Sequence, residues 1–288
     1  MPAQLAIAEQ LSVGIVPTLL PGSAWQDGRL GMNAGASEHA WAEIERAFKQ
    51  FHASSDRPNV ILVPEVSVPR GRIGALKRLA GGLGAVVLAG MDFQVDGQGV
   101  VNRAGVFIPT KWPEPGPSHS ARSIFVGKTY PSEDELAHLS SVVPPQVFSS
   151  DPTLWVFDAG PLGRFGICLC FDFMDVDRPP LYRGQIHHLF VLAHNKDIGS
   201  FAHLAESLCR TIYCNVVVCN TGWYGGSVAI APYFDHNRRP IFQILGNQLS
   251  TAQVIKLPVA VLDAAIRDGT LEQDGVRVLK ARPPGFGI

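Results

Sequence analysis

The segment GRFGICLCFD, residues 163–172, decides how the rest of the chain is interpreted. Apolar residues predominate from Phe165 to Leu169, which is typical of a strand buried on both faces. Cys170 follows where this strand is predicted to end, so its thiol is expected at the edge of a sheet. Ligand sites of α/β proteins gather at strand ends, and this segment therefore indicates where a site could form.

Two other predicted strands end next to a charged residue. Residues 59–63 form a β-branched run that Pro64 is expected to halt, and Glu65 follows. Residues 123–126 form another run, and Lys128 lies just beyond it. A carboxylate, an ammonium and a thiol at neighbouring strand ends would supply a proton acceptor, a cation and a nucleophile. Each residue alone has an ordinary explanation as a loop or core residue, so the combination carries the interpretation.

Short apolar runs alternate with helical patterns over most of the chain. Further strands are predicted at residues 11–20, 85–89, 100–108, 154–157, 165–169, 188–193, 215–219, 227–231, 240–244 and 252–257. Helices are predicted at residues 37–52 with Ser37 as N-cap, at 73–79 with an end at Gly81-Gly82, at 201–213 and at 259–267. This alternation predicts the α/β class, with sheets covered by helices. Residues 111–120 are predicted as a long loop within one domain spanning residues 1–288.

Composition and charge exclude several classes of protein. The 288 residues include 17% charged and 46% apolar side chains with a net charge of −1, which excludes extended disorder and gives no reason to expect nucleic acid or an anionic membrane as a partner. No apolar run reaches the length of a membrane span, and no Lys or Arg precedes Arg29, so we expect neither a secretory leader nor a transit peptide. The five cysteines lie between Cys168 and Cys219, which suggests free thiols in a cytoplasmic protein.

The histidines invite a metal site, but their spacing does not support one. His187 and His188 are adjacent and would face opposite sides of a strand, and neither His-Glu-x-x-His nor Cys-x-x-Cys occurs. We therefore expect no metal, and the chemistry outlined above needs no cofactor. His194 and Asn195 follow a predicted strand and are candidates for contact with a substrate.

The order Glu, Lys, Cys, each at a strand end, resembles the carbon–nitrogen hydrolase (nitrilase) superfamily. Residues 63–65 are similar to its apolar-Pro-Glu segment, and Lys128 followed by Glu135 is similar to its lysine segment. Residues 163–172 resemble its Gly-x-x-Gly-x-x-Ile-Cys-Tyr-Asp nucleophile segment, and residues 226–232 resemble the Gly-Ser strand that follows. The resemblance covers nearly the whole chain.

Three segments depart from the family pattern. Residues 174–176 stand where an aromatic-Pro pair is usual, residues 233–235 replace an Asp-Gly turn, and residues 209–213 blur an Arg-Ala-x-Glu-Asn helix. These departures concern the substrate pocket and the dimer surface. They leave an alternative open, in which the chain is a nitrilase-fold sensing or assembly module with reduced or lost catalysis.

The resemblance implies a fold and a chemistry. The fold is an α-β-β-α sandwich of two packed sheets flanked by helices, in subunits that form homodimers or larger homo-oligomers. The chemistry is hydrolysis of a non-peptide carbon–nitrogen bond through a cysteine thioester, with Glu65, Lys128 and Cys170 as the catalytic triad. Strand alternation alone leaves Cys168 and Cys170 equivalent, since both face the same side. The family register selects Cys170 and leaves Cys168 as a buried core residue, like Cys209, Cys214 and Cys219.

Supporting roles follow from the same resemblance. The backbone N–H of Phe171 would join Lys128 in stabilising an oxyanion, and Glu135 would orient either Lys128 or the substrate, with Glu133 as its competitor. Asp172 after an aromatic residue favours small amides or carbamoyl compounds as substrates over nitriles.

Overall fold

The computed structural model describes residues 6–26, 28–97, 99–114 and 116–286. Its strands are β1 (Gln10–Ile15), β2 (Val60–Val68), β3 (Val86–Asp96), β4 (Gly99–Pro109), β5 (Ala121–Gly127), β6 (Phe157–Asp158), β7 (Arg164–Leu169), β8 (His188–Ala193), β9 (Asn215–Asn220), β10 (Val228–Ile230), β11 (Pro240–Gln243), β12 (Gln253–Pro258), β13 (Glu272–Gln273) and β14 (Val276–Arg277). Its helices are α1 (Ala34–Ala53), α2 (Ile73–Leu83), α3 (Glu133–Ser141), α4 (Ile198–Leu208) and α5 (Ala260–Arg267).

Twelve of these strands form two mixed sheets with similar plans. The first sheet has the order β12-β1-β2-β3-β4-β5, in which β1, β2 and β3 are parallel. The second has the order β11-β10-β9-β8-β7-β6, in which β7, β8 and β9 are parallel. The edge strands of both sheets run antiparallel to their neighbours. Each sheet therefore has a parallel centre, whose strand ends offer a place for a site.

The two sheets pack face to face, and helices cover their outer faces. Leu62 and Leu88 of the first sheet share one buried apolar cluster with Ile167, Phe190 and Val217 of the second. Separate buried clusters join α1 and α2 to the first sheet and α4 to the second. The predicted α-β-β-α sandwich is thus confirmed. Side chains buried in this way each contribute about 1.5–3 kcal/mol to the free energy of folding.

The predicted helices are present, with different ends. Helix α1 begins at Ala34, because Asn33 accepts a hydrogen bond from the Ala36 backbone N–H at 2.9 Å, and the prediction of Ser37 as N-cap is wrong. Helix α2 passes through the predicted stop and ends at Gly84, whose φ of +75° lies in the left-handed region. Helix α4 ends at Leu208, and a π-helical turn replaces the rest of its predicted length.

Some strand predictions also need correction. Strand β1 ends at Ile15, well before residue 20, because Pro17 lacks the N–H that a ladder requires. The predicted strand at residues 154–157 is reduced to Phe157–Asp158, and β3 continues to Asp96. Helix α3 and the hairpin β13–β14 were not predicted as elements. Across the described parts of the chain, the structure contains no helix long and apolar enough to cross a membrane.

Candidate active site

Glu65 lies inside β2 rather than after it, so the prediction that Pro64 halts the strand is wrong. The strand instead becomes irregular, since its register with β3 shifts between Val63 and Val68. Val66 adopts a φ of +48°, a conformation that a β-branched side chain rarely takes. Gly90 permits this path, because a Cβ there would lie 2.3 Å from the Glu65 Cα. The Glu65 carboxyl is buried at this irregularity, with 4% of the residue exposed.

Lys128 follows β5 directly and is fully buried. Its Nζ lies 2.8 Å from Glu65 Oε1 and also forms an ion pair with Glu135 Oε2. Burial alone would lower the pKa of Lys128, but the charges of Glu65 and Glu135 outweigh it and raise the pKa well above its ordinary value. Lys128 therefore stays charged between two carboxyl groups.

Asn102 completes this charged cluster, and the sequence analysis missed it. Its Nδ2 donates hydrogen bonds to Glu65 Oε1 at 2.9 Å and to Glu135 Oε1 at 2.6 Å. The residue lies in β4 and is 1% exposed. In the sequence, Asn102 stands beside Arg103 in a predicted strand of mainly apolar residues, and this pattern does not indicate a partner. Asn102 holds two carboxyl groups at a fixed separation around Lys128.

Glu135, and not Glu133, is the second glutamate of the cluster. It occupies the capping box that starts α3, where its Oε2 accepts a hydrogen bond from the Ser132 backbone N–H at 2.8 Å. The ion pair with Lys128 ties this helix start to β5. Glu133, by contrast, is exposed on the first turn of α3.

Cys170 terminates β7 and begins a short 3-10 turn, Cys170–Met174. Its φ of +42° is strained for a residue other than glycine, and such strain is concentrated at functional sites. Burial and the nearby charge of Glu65 raise the pKa of the Cys170 thiol well above its ordinary value, and Lys128 opposes them only in part. The resting thiol is therefore protonated, so a nucleophilic role requires a base.

Glu65 has the electrostatic properties of such a base. Burial raises the pKa of its carboxyl group above the ordinary value, while the charge of Lys128 and contact with the Cys170 thiol work in the opposite direction. A carboxylate with a raised pKa binds a proton more strongly. The difference between its pKa and that of the Cys170 thiol is therefore smaller than it would be for an ordinary carboxylate. Because these groups lie so close together, the proton belongs to the cluster as a whole.

The thiol of Cys168 lies in a different environment from that of Cys170. It is half-buried, which corrects the prediction of a buried core residue, and it lines a pocket of about 20 Å³ with Arg178 and Tyr182. Burial and the charge of Asp172 raise the pKa of its thiol. Three further cysteines are completely buried, as predicted: Cys209, Cys214 and Cys219.

Asp172 connects the cysteine turn to the segment that carries Lys128. Its carboxylate accepts hydrogen bonds from the backbone N–H groups of Thr129 at 2.9 Å and Tyr130 at 2.8 Å. Arg178, which the sequence analysis also missed, lies 3.5 Å from the same carboxylate and hydrogen bonds to the Thr129 hydroxyl. Asp172 thus ties the turn after β7 to the segment after β5, and it also lines the small pocket beside Cys168.

A cavity of about 600 Å³ opens above these groups. Six of the residues predicted for the site line it: Glu65, Glu135, Cys170, Phe171, His194 and Asn195. Lys128 is fully buried and is not one of the residues that line the cavity. His194 Nε2 donates to the Leu20 carbonyl at 2.8 Å, and burial lowers the pKa of this imidazole, so the ring is neutral. The Asn195 Oδ1 accepts from the Asp197 backbone N–H at 2.5 Å.

The other histidines of the second sheet have structural contacts. His187 accepts a hydrogen bond from the Arg164 N–H and lies 3.2 Å from Asp263, while His188 bonds to the Leu162 carbonyl and to Asn215. Among the residues that the structure describes, no three His, Cys, Asp or Glu side chains are grouped so as to hold a metal ion.

Comparison with known proteins finds similarity in structure but not in sequence. No protein-family model matches the chain, and no curated sequence matches it at a significant level. Saccharomyces cerevisiae Nit3, from branch 10 of the nitrilase superfamily, superposes with a TM-score of 0.62 at 13% identity, over 93% of this chain and 97% of that one. A carbon–nitrogen hydrolase superfamily protein of Xanthomonas campestris, with an arsenic adduct in its active site, gives 0.59 at 14% identity over 90% and 94%. An amidase from Nesterenkonia gives 0.55 at 13% identity over 88% and 93%. The chain therefore has the fold of the nitrilase superfamily.

Proposed function

We propose that the protein hydrolyses a non-peptide carbon–nitrogen bond of a small amide or carbamoyl compound, with Cys170 as nucleophile. The observation that carries this proposal is the buried ion pair of Lys128 with Glu65, 2.8 Å long, next to a buried thiol on the floor of a cavity. Charged groups buried this deeply cost free energy, and their position beside a strained cysteine gives them a chemical use.

The first half of the reaction forms a thioester. Glu65 accepts the proton of the Cys170 thiol, and the sulfur attacks the carbonyl carbon of the substrate. Lys128 and the backbone N–H of Phe171 stabilise the negative charge that develops on the oxygen. Glu65 then donates its proton to the substrate nitrogen as the carbon–nitrogen bond breaks, and ammonia or an amine leaves.

The second half releases the acid. A water molecule attacks the thioester carbon while Glu65 accepts one of its protons. The carbon–sulfur bond breaks, and the thiolate of Cys170 takes up the proton that Glu65 accepted. The carboxylic acid then leaves the site. Glu135 and Asn102 touch no reacting atom in this scheme. They hold Lys128 and Glu65 in position through the contacts described above.

Two further observations support an amide substrate. A mutant of the Nesterenkonia amidase, which has a similar fold, shows covalent addition of the acetamide moiety of fluoroacetamide at its active-site cysteine. The order of an aromatic residue followed by Asp172 is similar to the order in family members that act on amides. Contact of the substrate with His194 and Asn195, and assembly into a homo-oligomer, stay predictions.

The test is a panel of small amides, carbamoyl compounds and nitriles, scored by ammonia release, with Cys170→Ala as the blank. We expect release from amides or carbamoyl compounds above nitriles, and none with the variant. Ammonia release that persists in Cys170→Ala would contradict the assigned nucleophile. Absence of release from every compound would favour the alternative of a sensing or assembly module.

A further inference from the structure

The walls of the cavity differ in character from its floor. One wall is a continuous chain of ring contacts, with centroid separations from 5.2 to 6.4 Å. Its members are Tyr224, His194, Trp25, Phe93 and His138, and all five line the cavity. Further aromatic surface comes from Phe171 and Phe201.

Three polar ring atoms of this wall already have partners within the protein. Trp25 Nε1 donates to Asp92 at 2.9 Å, His194 Nε2 to Leu20 O at 2.8 Å, and His138 Nε2 bonds to Leu30 O at 3.0 Å. Because these nitrogen atoms already form hydrogen bonds within the protein, the wall offers mainly ring faces and edges to a ligand. Ring faces attract cations as well as apolar groups, because their quadrupole is negative at the face.

The mouth of the cavity is acidic. Glu133 and Asp134 lie on the first turn of α3, and Asp197 caps α4 from the other side. Among the described residues that line the cavity, Lys196 is the only lysine or arginine, and its Nζ already pairs with Asp134 at 3.0 Å. Deeper in, the charge of Lys128 is matched by Glu65 and Glu135. The cavity therefore has an excess of negative charge.

We propose that the substrate is a small amide that carries a positive charge, such as a protonated amine, at the end remote from the scissile bond. This inference rests on the proposed function, since it assigns the substrate of the same site. The amide group reaches Cys170, while the cationic end lies against the aromatic wall near Glu133 and Asp197. A carboxylate at that end would be repelled by the negative charges of the mouth. Lys196 would not offset this repulsion, because it already pairs with Asp134.

Three amides of matched shape test this assignment: 5-aminopentanamide, hexanamide and adipamate, which are cationic, neutral and anionic. We expect kcat/KM to fall in that order, by ~10-fold or more from the cationic to the anionic compound at low ionic strength. Added salt should narrow the difference, because it screens exposed charges. Equal values, or a preference for adipamate, would overturn the inference while leaving the hydrolase intact.

A pair of double variants locates the effect. Glu133→Gln with Asp197→Asn removes two charges from the mouth and retains an N-cap residue. Asp268→Asn with Asp274→Asn removes two charges outside the cavity. We expect the preference for 5-aminopentanamide over hexanamide to drop ~3-fold or more in the first pair and to stay unchanged in the second. Equal drops in both pairs would contradict a role for the mouth.

Binding separates this inference from the proposed function. The Cys170→Ala variant is titrated calorimetrically with the three amides. Tighter binding of 5-aminopentanamide than of adipamate supports the assignment even if no compound is turned over, in which case the hydrolase proposal alone fails. Indistinguishable titrations, including an absence of heat with all three, would overturn it.

Discussion

The two sheets follow the same plan but contribute opposite parts of the site. The first sheet supplies Glu65 and Asn102 from within β2 and β4, and Lys128 from the end of β5. These groups bond to one another and to Glu135. The second sheet supplies Cys170 after β7 and His194 after β8, and its charged residue Asp172 lies in the same turn as Cys170.

This difference shows that the charged cluster and the nucleophile come from different halves of the molecule. The ion pairs and hydrogen bonds of the charged cluster form within the first half of the molecule. The thiol is held in a strained turn of the second half. Asp172 joins them, because it accepts hydrogen bonds from the backbone just beyond Lys128. Substitutions in each half should therefore impair the protein in different ways.

Removal of the nucleophile should have the largest effect. We expect Cys170→Ala to abolish turnover while the charged cluster of the other half stays folded, since alanine is smaller and uncharged. Intact-mass spectrometry of the wild type mixed with substrate should detect an acyl adduct on Cys170. An adduct mapped to Cys168 would place the nucleophile two residues earlier, inside β7, and contradict the assignment of Cys170.

Loss of the base should come next. Glu65→Gln keeps the shape but cannot accept a proton, so we expect turnover to fall ~10²–10⁴-fold. In the wild type, kcat/KM should decline as pH falls, because Glu65 becomes protonated. The midpoint should lie above the ordinary glutamate value of about 4.3, since burial raises the pKa of this carboxyl group. A pH profile without such an acid limb would argue against Glu65 as the base.

Loss of the cation should produce a smaller decrease with a different signature. Lys128→Met removes one oxyanion donor, which typically costs ~10²–10³-fold. It also removes the charge that lowers the pKa of Cys170, so the pH profile of iodoacetamide alkylation should move to higher pH. Glu65→Gln should show no such upward shift, because Lys128 remains beside the thiol.

Stability must be separated from chemistry in this variant. Removing one partner of a buried ion pair costs about 3–5 kcal/mol of unfolding free energy, because Glu65 and Glu135 would face each other without Lys128. The double variant Glu65→Gln with Lys128→Met removes part of this repulsion, and its denaturation midpoint should recover toward the wild type. Unchanged turnover and alkylation in Lys128→Met would mean that Lys128 contributes no catalytic charge.

Breaking the link between the halves should have an intermediate effect. Asp172→Ala leaves the backbone N–H groups of Thr129 and Tyr130 without their acceptor, at a cost of about 1–3 kcal/mol for the buried group of Thr129. Misplacement of Lys128 should lower kcat by at most ~10²-fold. Asp172→Asn keeps one acceptor oxygen and should recover part of both losses, which chemical denaturation and steady-state kinetics would measure. Equal defects in the two variants would contradict a positioning role.

The smallest effect is expected from Cys168, the thiol within β7. Cys168→Ala should leave kcat/KM unchanged and cost about 1 kcal/mol or less of stability, because the residue is half-buried beside a small pocket. Calorimetry and the amide assay check this. A decrease in turnover as large as that of Cys170→Ala would remove the distinction between the two cysteines.

The sequence by itself determined the chemical groups and the class of fold. Apolar runs beside Glu65, Lys128 and Cys170 predicted the α/β architecture and the strand ends where Lys128 and Cys170 lie, whereas Glu65 lies inside its strand. Periodicity and turn residues are local signals, so they are readable within one segment. They placed helix and strand ends less well, since Asn33 and Ser37 are both acceptable N-caps and only packing selects between them.

The tertiary structure alone decided the partners of these groups. Asn102 bonds to Glu65 and Glu135 across separations of 37 and 33 residues, and Asp172 reaches Thr129 across 43. No periodic pattern encodes such pairs, because they form only when strands align and the two sheets dock. The distinction between Cys168 and Cys170 has the same origin, since the two share a face in an extended strand and separate only where the chain turns. The acidic mouth likewise exists only because two helix starts, at α3 and α4, meet above the buried thiol.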